Sequence, residues 1–250
     1  MPERYFCQIA AREKIADDIF AVTVGWKESA AVRPGQFIHI KCGDLLLRRP
    51  ISICSVSDGT LKFVFEVKGE GTSRLSQYRT GEVLDILGPL GNGFTLPQGR
   101  VITVGGGIGV PPMLHAAESH KYPVTAILGF RDKSRVILKA EFEPVCDEVF
   151  VTTDDSSFGI RGPVTGPLEE LLKADAEATV LACGPRAMLS AVAQVCEKYG
   201  APCQVSLEER MGCGVGACLV CACEMRIDGE EHMQRVCKDG PVFNAREVVW

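Results

Sequence analysis

The stretch Val101-Ile102-Thr103-Val104-Gly105-Gly106-Gly107-Ile108-Gly109-Val110-Pro111-Pro112 reads as a strand, a glycine turn and the first turn of a helix. The apolar, β-branched run suits a buried strand, and proline is tolerated where a helix begins. Between them, glycines let backbone approach a pyrophosphate, whose charge is favoured at a helix N-terminus. The run is not a strict G-x-G-x-x-G, because Val110 stands where the last glycine of the Gly105/Gly107 register would fall. A tight turn without a ligand is the plainer alternative. Its position at the first strand–helix junction points to nucleotide binding.

On the C-terminal side the alternation continues. Strand-like runs at Val101–Val104, Val124–Phe130, Glu148–Thr153, Thr179–Ala182 and Gln204–Leu207 alternate with helical stretches near Pro112–His120, Leu138–Cys146, Gly166–Lys173 and Arg186–Tyr199. Such alternation predicts a parallel sheet covered on both faces. Before residue 99 the texture differs. Short β-rich runs (Phe37–Lys41, Ile51–Ser55, Leu61–Val67, Val83–Leu87) are broken by turn signals such as Asp58-Gly59 and Gly91-Asn92-Gly93, which predicts an antiparallel barrel or sandwich. One helical turn, opened by a Thr72 cap, is expected at Thr72–Tyr78. After Leu207 comes a Gly/Cys-rich stretch with two short strands, Leu219–Ile227 and Glu231–Val236. The expected modules are 1–98, 99–207 and 208–250, giving a mixed β and α/β chain.

The 250 residues carry a net charge of −5, so there is no basic excess to bind nucleic acid. No apolar run reaches the ~18 residues of a membrane span. Residues 1–10 lack the basic start, apolar stretch and cleavage site of a signal peptide, and a cytoplasmic protein is expected. Twelve cysteines are then anomalous, and clustering of cysteines in a reducing compartment points to metal or redox work.

Five of the twelve fall from Cys213 onward: Cys213, Cys218, Cys221, Cys223 and Cys237. Four of them form C-x4-C-x2-C and, after fifteen intervening residues, a further cysteine, the spacing of plant-type [2Fe–2S] sites. Such a cluster takes four thiolates, and Gly212, Gly214 and Gly216 would let a loop wrap it and aim N–H groups at sulfur. Zinc also accepts four thiolates, but zinc ribbons use two separated C-x2-C pairs. Cys223, two residues past Cys221, is expected to be a buried non-ligand.

Weaker signals lie elsewhere. Arg49 could pair with a phosphate and Ser52 could hydrogen-bond a cofactor ring, or Arg49-Pro50-Ile51-Ser52 is an ordinary strand with a basic start. Gly69-Glu70-Gly71-Thr72 is a phosphate cradle or a simple turn. Cys183-Gly184-Pro185 sits at a strand–helix junction, where ligands bind in wound sheets. His39, His115, His120 and His232 show no ligand spacing and are read as structural. Arg131 and Arg135 follow the second wound strand, where a 2′-phosphate would be received; ordinary solvated arginines are the alternative.

Together these residues resemble the ferredoxin–NADP reductase superfamily, a flavin-binding barrel followed by a nucleotide-binding α/β domain. With the terminal Glu209-Arg210-Met211-Gly212-Cys213 block, the resemblance narrows to the electron-transfer subunits of NAD-dependent, class 1B dihydroorotate dehydrogenases. It implies FAD on Arg49, Pro50, Ile51, Ser52, Val64, Phe65, Glu66, Gly71 and Thr72. Ile51 replaces an aromatic, and Phe65 would substitute for its ring. It implies NAD on Gly105, Gly106, Gly107, Gly109, Cys183, Gly184 and Pro185, with Ser52 at the reactive flavin edge and Cys183 bordering the nicotinamide as the catalytic pair. It implies a [2Fe–2S] cluster on Cys213, Cys218, Cys221 and Cys237. The implied partner is an FMN-containing catalytic subunit, two copies of each, serving pyrimidine biosynthesis. The alternatives are an NAD(P)-linked subunit of sulfide dehydrogenase or of a bifurcating transhydrogenase and, in another class, a zinc-stabilised nucleotide-binding regulatory module.

Overall fold

Residues 3–26 and 32–250 are described in the structure, a computed structural model. The first two strands, β1 (Glu3–Ala16) and β2 (Ile19–Gly25), are joined by a tight turn in which Asp18 takes a left-handed φ of 58°. They combine with β3 (Phe37–Ile40), β4 (Arg49–Ser57), β5 (Thr60–Glu66) and β6 (Val83–Leu90) into a closed barrel, β1-β2-β5-β4-β3-β6. All its pairings are antiparallel. Ile9, Val24, Ile38, Ile40, Ile53, Phe63, Phe65 and Ile86 fill the interior. Helix α1 (Glu70–Leu75) starts two residues earlier than expected, and Gly69, not Thr72, is its N-cap. The Thr72 hydroxyl instead reaches back, accepting from the Lys68 and Gly69 amides at 2.9 and 3.2 Å.

The second layer follows the predicted alternation: β7 (Val101–Gly106), α2 (Val110–Ser119), β8 (Val124–Phe130), α3 (Lys139–Phe142), β9 (Glu148–Thr153), β10 (Ile160–Arg161), α4 (Thr165–Ala174), β11 (Thr179–Cys183), α5 (Arg186–Tyr199) and β12 (Cys203–Ser206). Only α3 is much shorter than expected. The helix starts after Leu138, whose φ is +60°, and ends at Phe142, whose carbonyl accepts from the Val145 and Cys146 amides in a closing turn. The strand order β10-β9-β8-β7-β11-β12 reverses direction between β7 and β11. A crevice at the carboxyl ends of those two strands is where an open wound sheet binds ligands.

The remaining strands are β13 (Ala222–Ile227) and β14 (Glu230–Arg235), which form a hairpin, and β15 (Val242–Asn244). β15 pairs antiparallel with β12, Val205 opposite Phe243, and becomes the edge of the seven-stranded sheet. One apolar cluster joins Val104, Val180 and Val205 to Cys221, Cys223, Val236, Cys237 and Phe243. The change of texture at residue 208 therefore marks no break in the core. A second cluster joins Ile19, Cys54 and Val64 of the barrel to Val110, Met113 and Leu114 of α2, seating the nucleotide helix on the barrel wall. Among the described residues no helix is long and apolar enough to cross a membrane.

Candidate functional site

At the carboxyl ends of β7 and β11, Gly105 is in register with Cys183. A side chain on Gly109 would overlap the Cys183 carbonyl, and one on Gly184 would stand 2.6 Å from the Met188 methyl. Gly105 and Gly106 are likewise closed in, by Val110 and by Met188. These glycines let two strand–helix turns interlock. Gly107 differs: its φ is +53° and open space surrounds it, so its backbone is the part of the turn free to meet a ligand. Pro185 caps α5 on the other side. Burial pushes the Cys183 thiol up to about 12, against an opposing hydrogen bond with Ser206. It stays protonated, a soft neutral wall and not a nucleophile.

On the barrel, the Arg49 guanidinium lies against Gly71 of α1 and donates to the Leu47 carbonyl at 2.6 Å. Its neighbour Arg48 is committed to structure, holding both Asp85 carboxylate oxygens at 2.9 Å. Ser52, opposite Phe37, is half-buried, and its hydroxyl makes no hydrogen bond among the described residues. Ile51 packs at the margin of the barrel core. The ring-stacking role expected of Phe65 is corrected by the structure. Phe65 is 1% exposed and stacks inside the barrel on Phe20 and Phe63, because β5 is covered on both faces and its inward positions are Phe63 and Phe65. Val64 faces the other way, into the interface with α2. The Glu66 carboxylate is held by Arg135 at 3.0 Å and Lys68 at 3.4 Å. Arg135 also donates to the Asp17 carbonyl, so it ties the two layers together and is not free for a phosphate.

The cysteine loop is laced by its own backbone. Val215 and Ala217 amides donate to Cys213 Sγ at 3.4 and 3.2 Å, Gly216 donates to Cys237 Sγ at 3.1 Å, and Cys213 donates to Cys218 Sγ at 3.4 Å. Gly214 and Gly216 supply this curvature with φ of +71° and +84°. Slight burial raises the Cys213 thiol, but the amides outweigh it and bring it down to about 6. Cys213 interacts with Cys218, and Cys237 with Cys221 and Cys213; burial raises the Cys237 thiol to about 12. Among the described residues no three His, Cys, Asp or Glu side chains converge to hold a single metal ion. Four cysteines at this spacing fit the two irons of a rhombic cluster, which would deprotonate them, better than they match the two C-x2-C pairs of a zinc ribbon. Cys223 points inward from β13 into the core beside Met225. Trp250 is 38% exposed and donates from its indole to the Ala245 carbonyl at 3.3 Å.

Loop and barrel meet at a residue that spacing arguments set aside. His39, 1% exposed on β3, is cross-strand neighbour to Pro50, and a side chain on Gly214 would stand 2.5 Å from its Nδ1. Burial lowers its pKa to about 4, with Arg48 adding to the effect, so the ring is neutral. The only available sequence signal was a single polar residue in the apolar run Phe37-Ile38-His39-Ile40.

A family model for the iron–sulfur cluster binding domain of dihydroorotate dehydrogenase B matches residues 208–249. Along 97% of both chains, the protein is 42% identical to the dihydroorotate dehydrogenase B (NAD(+)) electron transfer subunit of Caldanaerobacter subterraneus subsp. tengcongensis. The chain belongs to this family. The corresponding electron transfer subunit of Geobacillus thermodenitrificans is 41% identical, with 96% of each chain covered. Among solved structures, an NADH-dependent reduced ferredoxin–NADP oxidoreductase, studied for flavin-based electron bifurcation, superposes with a TM-score of 0.87 at 30% identity, covering 98% of this chain and 90% of that one. A ferredoxin reductase in carbazole 1,9a-dioxygenase shares the fold, with a TM-score of 0.70 at 20% identity over 80% of this chain and 67% of its own. As an electron transfer subunit the chain is part of an oxidoreductase, with a flavin-reductase fold and an iron–sulfur domain. A zinc-stabilised regulatory module does not account for these matches.

Proposed function

We propose that this electron transfer subunit connects the FMN of a dihydroorotate-oxidising partner with NAD+, using a [2Fe–2S] cluster and FAD, in pyrimidine biosynthesis. When bound, the cluster exchanges single electrons and the flavin exchanges either single electrons or a hydride, the conversion that NAD+ requires. The roles divide as 1–98 for FAD, 99–207 for NAD and 208–250 for the cluster. Two copies of each subunit would form a cytoplasmic enzyme.

The residues of the chain hold and orient these groups. Cys213, Cys218, Cys221 and Cys237 ligate the irons, and the Val215, Gly216 and Ala217 amides offset the charge on sulfur. Arg49, with the Gly71 and Thr72 backbone, neutralises the flavin pyrophosphate. The free Ser52 hydroxyl serves the reactive flavin edge, beside Pro50 and Ile51. Val64, Phe65 and Glu66 contribute backbone to the adjoining strand. Gly105, Gly106, Gly107 and Gly109 shape the turn that receives the NAD pyrophosphate, and Cys183, Gly184 and Pro185 border the nicotinamide. As a neutral thiol, Cys183 excludes water without competing for hydride.

The observation that carries this reading is the loop whose amides point at the Cys213, Cys218 and Cys237 sulfurs, seated on the strand pair that includes Arg49 and Ser52. The test is anaerobic co-purification with the FMN subunit, followed by flavin and iron analysis and assay of dihydroorotate-dependent NAD+ reduction. FAD and two irons per chain, with activity lost when either is removed, is the expected result. Zinc in place of iron, or activity without FAD, overturns it. The relatives at 41–42% identity favour the dihydroorotate partner over the bifurcating alternative, whose solved example is 30% identical.

A further inference from the structure

The outward face of β3 carries Phe37 and His39, while Ile38 and Ile40 point into the barrel. Directly paired residues of antiparallel strands share a face, so His39 stands beside Pro50, and Phe37 beside Ser52. On its other side the His39 ring meets Gly214, whose neighbour Cys213 begins the cysteine loop. The imidazole is thus the side chain interposed between the Arg49–Ser52 strand and that loop. Both of its ring nitrogens are buried without a hydrogen-bond partner among the described residues. The carbonyls of Arg48 and Cys213 lie near the ring, short of hydrogen-bond geometry. With no hydrogen bond to the loop, the ring acts on it through the space it occupies beside Gly214.

We propose that His39 is a positioning residue that seats the cluster-binding loop on the flavin-binding strand and fixes the loop at Gly214. The inference rests on the function proposed above. Glycine at 214 is required by the ring as well as by the turn: its φ of +71° alone disfavours a side chain, and the imidazole occupies the space that one would need.

The test uses the complete complex carrying His39→Ala or His39→Phe. Iron content and visible circular dichroism report the cluster, its midpoint potential reports its surroundings, and NADH oxidation by ferricyanide reports the flavin alone. In His39→Ala, which empties the space beside Gly214, cluster retention should fall several-fold. The midpoint potential of the remainder should shift, while FAD content and ferricyanide reduction stay at the wild-type level. His39→Phe, which refills the space with a ring, should recover part of the retention. In the chain without metal, Gly214→Ala should lower the unfolding temperature, and adding His39→Ala should return part of that loss. Wild-type iron content and potential in His39→Ala overturn the proposal, as does parallel loss of FAD and iron in both variants. A wild-type complex lacking FAD or iron would overturn the proposed function instead, so the two failures are distinguishable.

Discussion

The Arg49 guanidinium lies over Gly71, so that a side chain on Gly71 would stand 2.6 Å from its central carbon, Cζ. The first turn of α1 and the start of β4, more than twenty residues apart in sequence, thus present one cation and a set of amides together. Gly71→Ala displaces the guanidinium without removing its charge. FAD affinity should fall about tenfold or more in Gly71→Ala, and further in Arg49→Ala, which loses the charge as well. Fluorescence titration of the flavin-free chain measures both. Unchanged affinity in Gly71→Ala would show that the contact serves packing alone.

Of the five C-terminal cysteines, Cys223 lies outside the proposed ligand set. Cys223→Ala should keep full iron content and cost about 1 kcal/mol for a small buried side chain. Serine at Cys213, Cys218, Cys221 or Cys237 should each reduce iron below half of wild type. Iron analysis with a thermal melt separates the cases, and iron loss in Cys223→Ala would reassign the ligand set.

His115 on α2 is 5% exposed, and burial lowers its pKa from 6.5 to about 4. The unfolded chain therefore binds a proton between those values that the folded chain excludes. Stability is complete above pH 6.5 and is lost as the pH falls toward 4, on the order of 1–2 kcal/mol between pH 7 and 5. Replacing His115 by leucine should flatten that part of the profile in urea titrations. The buried thiols act on the alkaline side. Burial raises Cys7 to about 11 and Cys54 to about 12, so their contribution is present below pH 9 and lost as the pH rises through those values.

Arg135 bridges to Glu66 and to the Asp17 carbonyl across the two layers. An arginine so engaged does not select a 2′-phosphate. Arg135→Ala should leave the ratio of kcat/KM for NADH over NADPH within about twofold of wild type and cost less than about 1 kcal/mol, as partly exposed ion pairs do. A large change in the ratio would place the adenosine ribose at this arginine.

Most strands of the sheet were legible because parallel strands buried on both faces read as unbroken apolar runs, as in Val124–Phe130. The iron–sulfur domain was legible because a cluster constrains the spacing of its cysteines, and the matching family model covers 208–249. β1 gave little signal, since only Cys7 and Ile9 of its residues are buried and its exposed positions mix Phe6, Gln8 and Ala10 with charged side chains. Phe65 was misread for the opposite reason: Phe63, Val64 and Phe65 are all buried, and period two disappears when both faces are covered. Arg48 and Arg49 are adjacent and chemically equal; only Asp85, thirty-seven residues away, distinguishes them. His39 acquires meaning only from Gly214, a contact that no local pattern encodes.

β15 is three residues long, yet it joins the cysteine module to the wound sheet through Phe243 opposite Val205. Phe243, 9% exposed, shares one core with Cys221, Cys237, Val180 and Val205. If that core is a single cooperative unit, the module does not melt alone. Phe243→Ala should destabilise by about 3–5 kcal/mol, the usual cost of emptying a buried aromatic site. Cluster absorbance and far-ultraviolet circular dichroism should then fall at the same, lowered temperature, as coincident probes do in an all-or-none transition. Early bleaching of the cluster, with the sheet still intact, would mean that residues 208–250 are held by their hairpin and ligands, and that β15 is merely an appended edge.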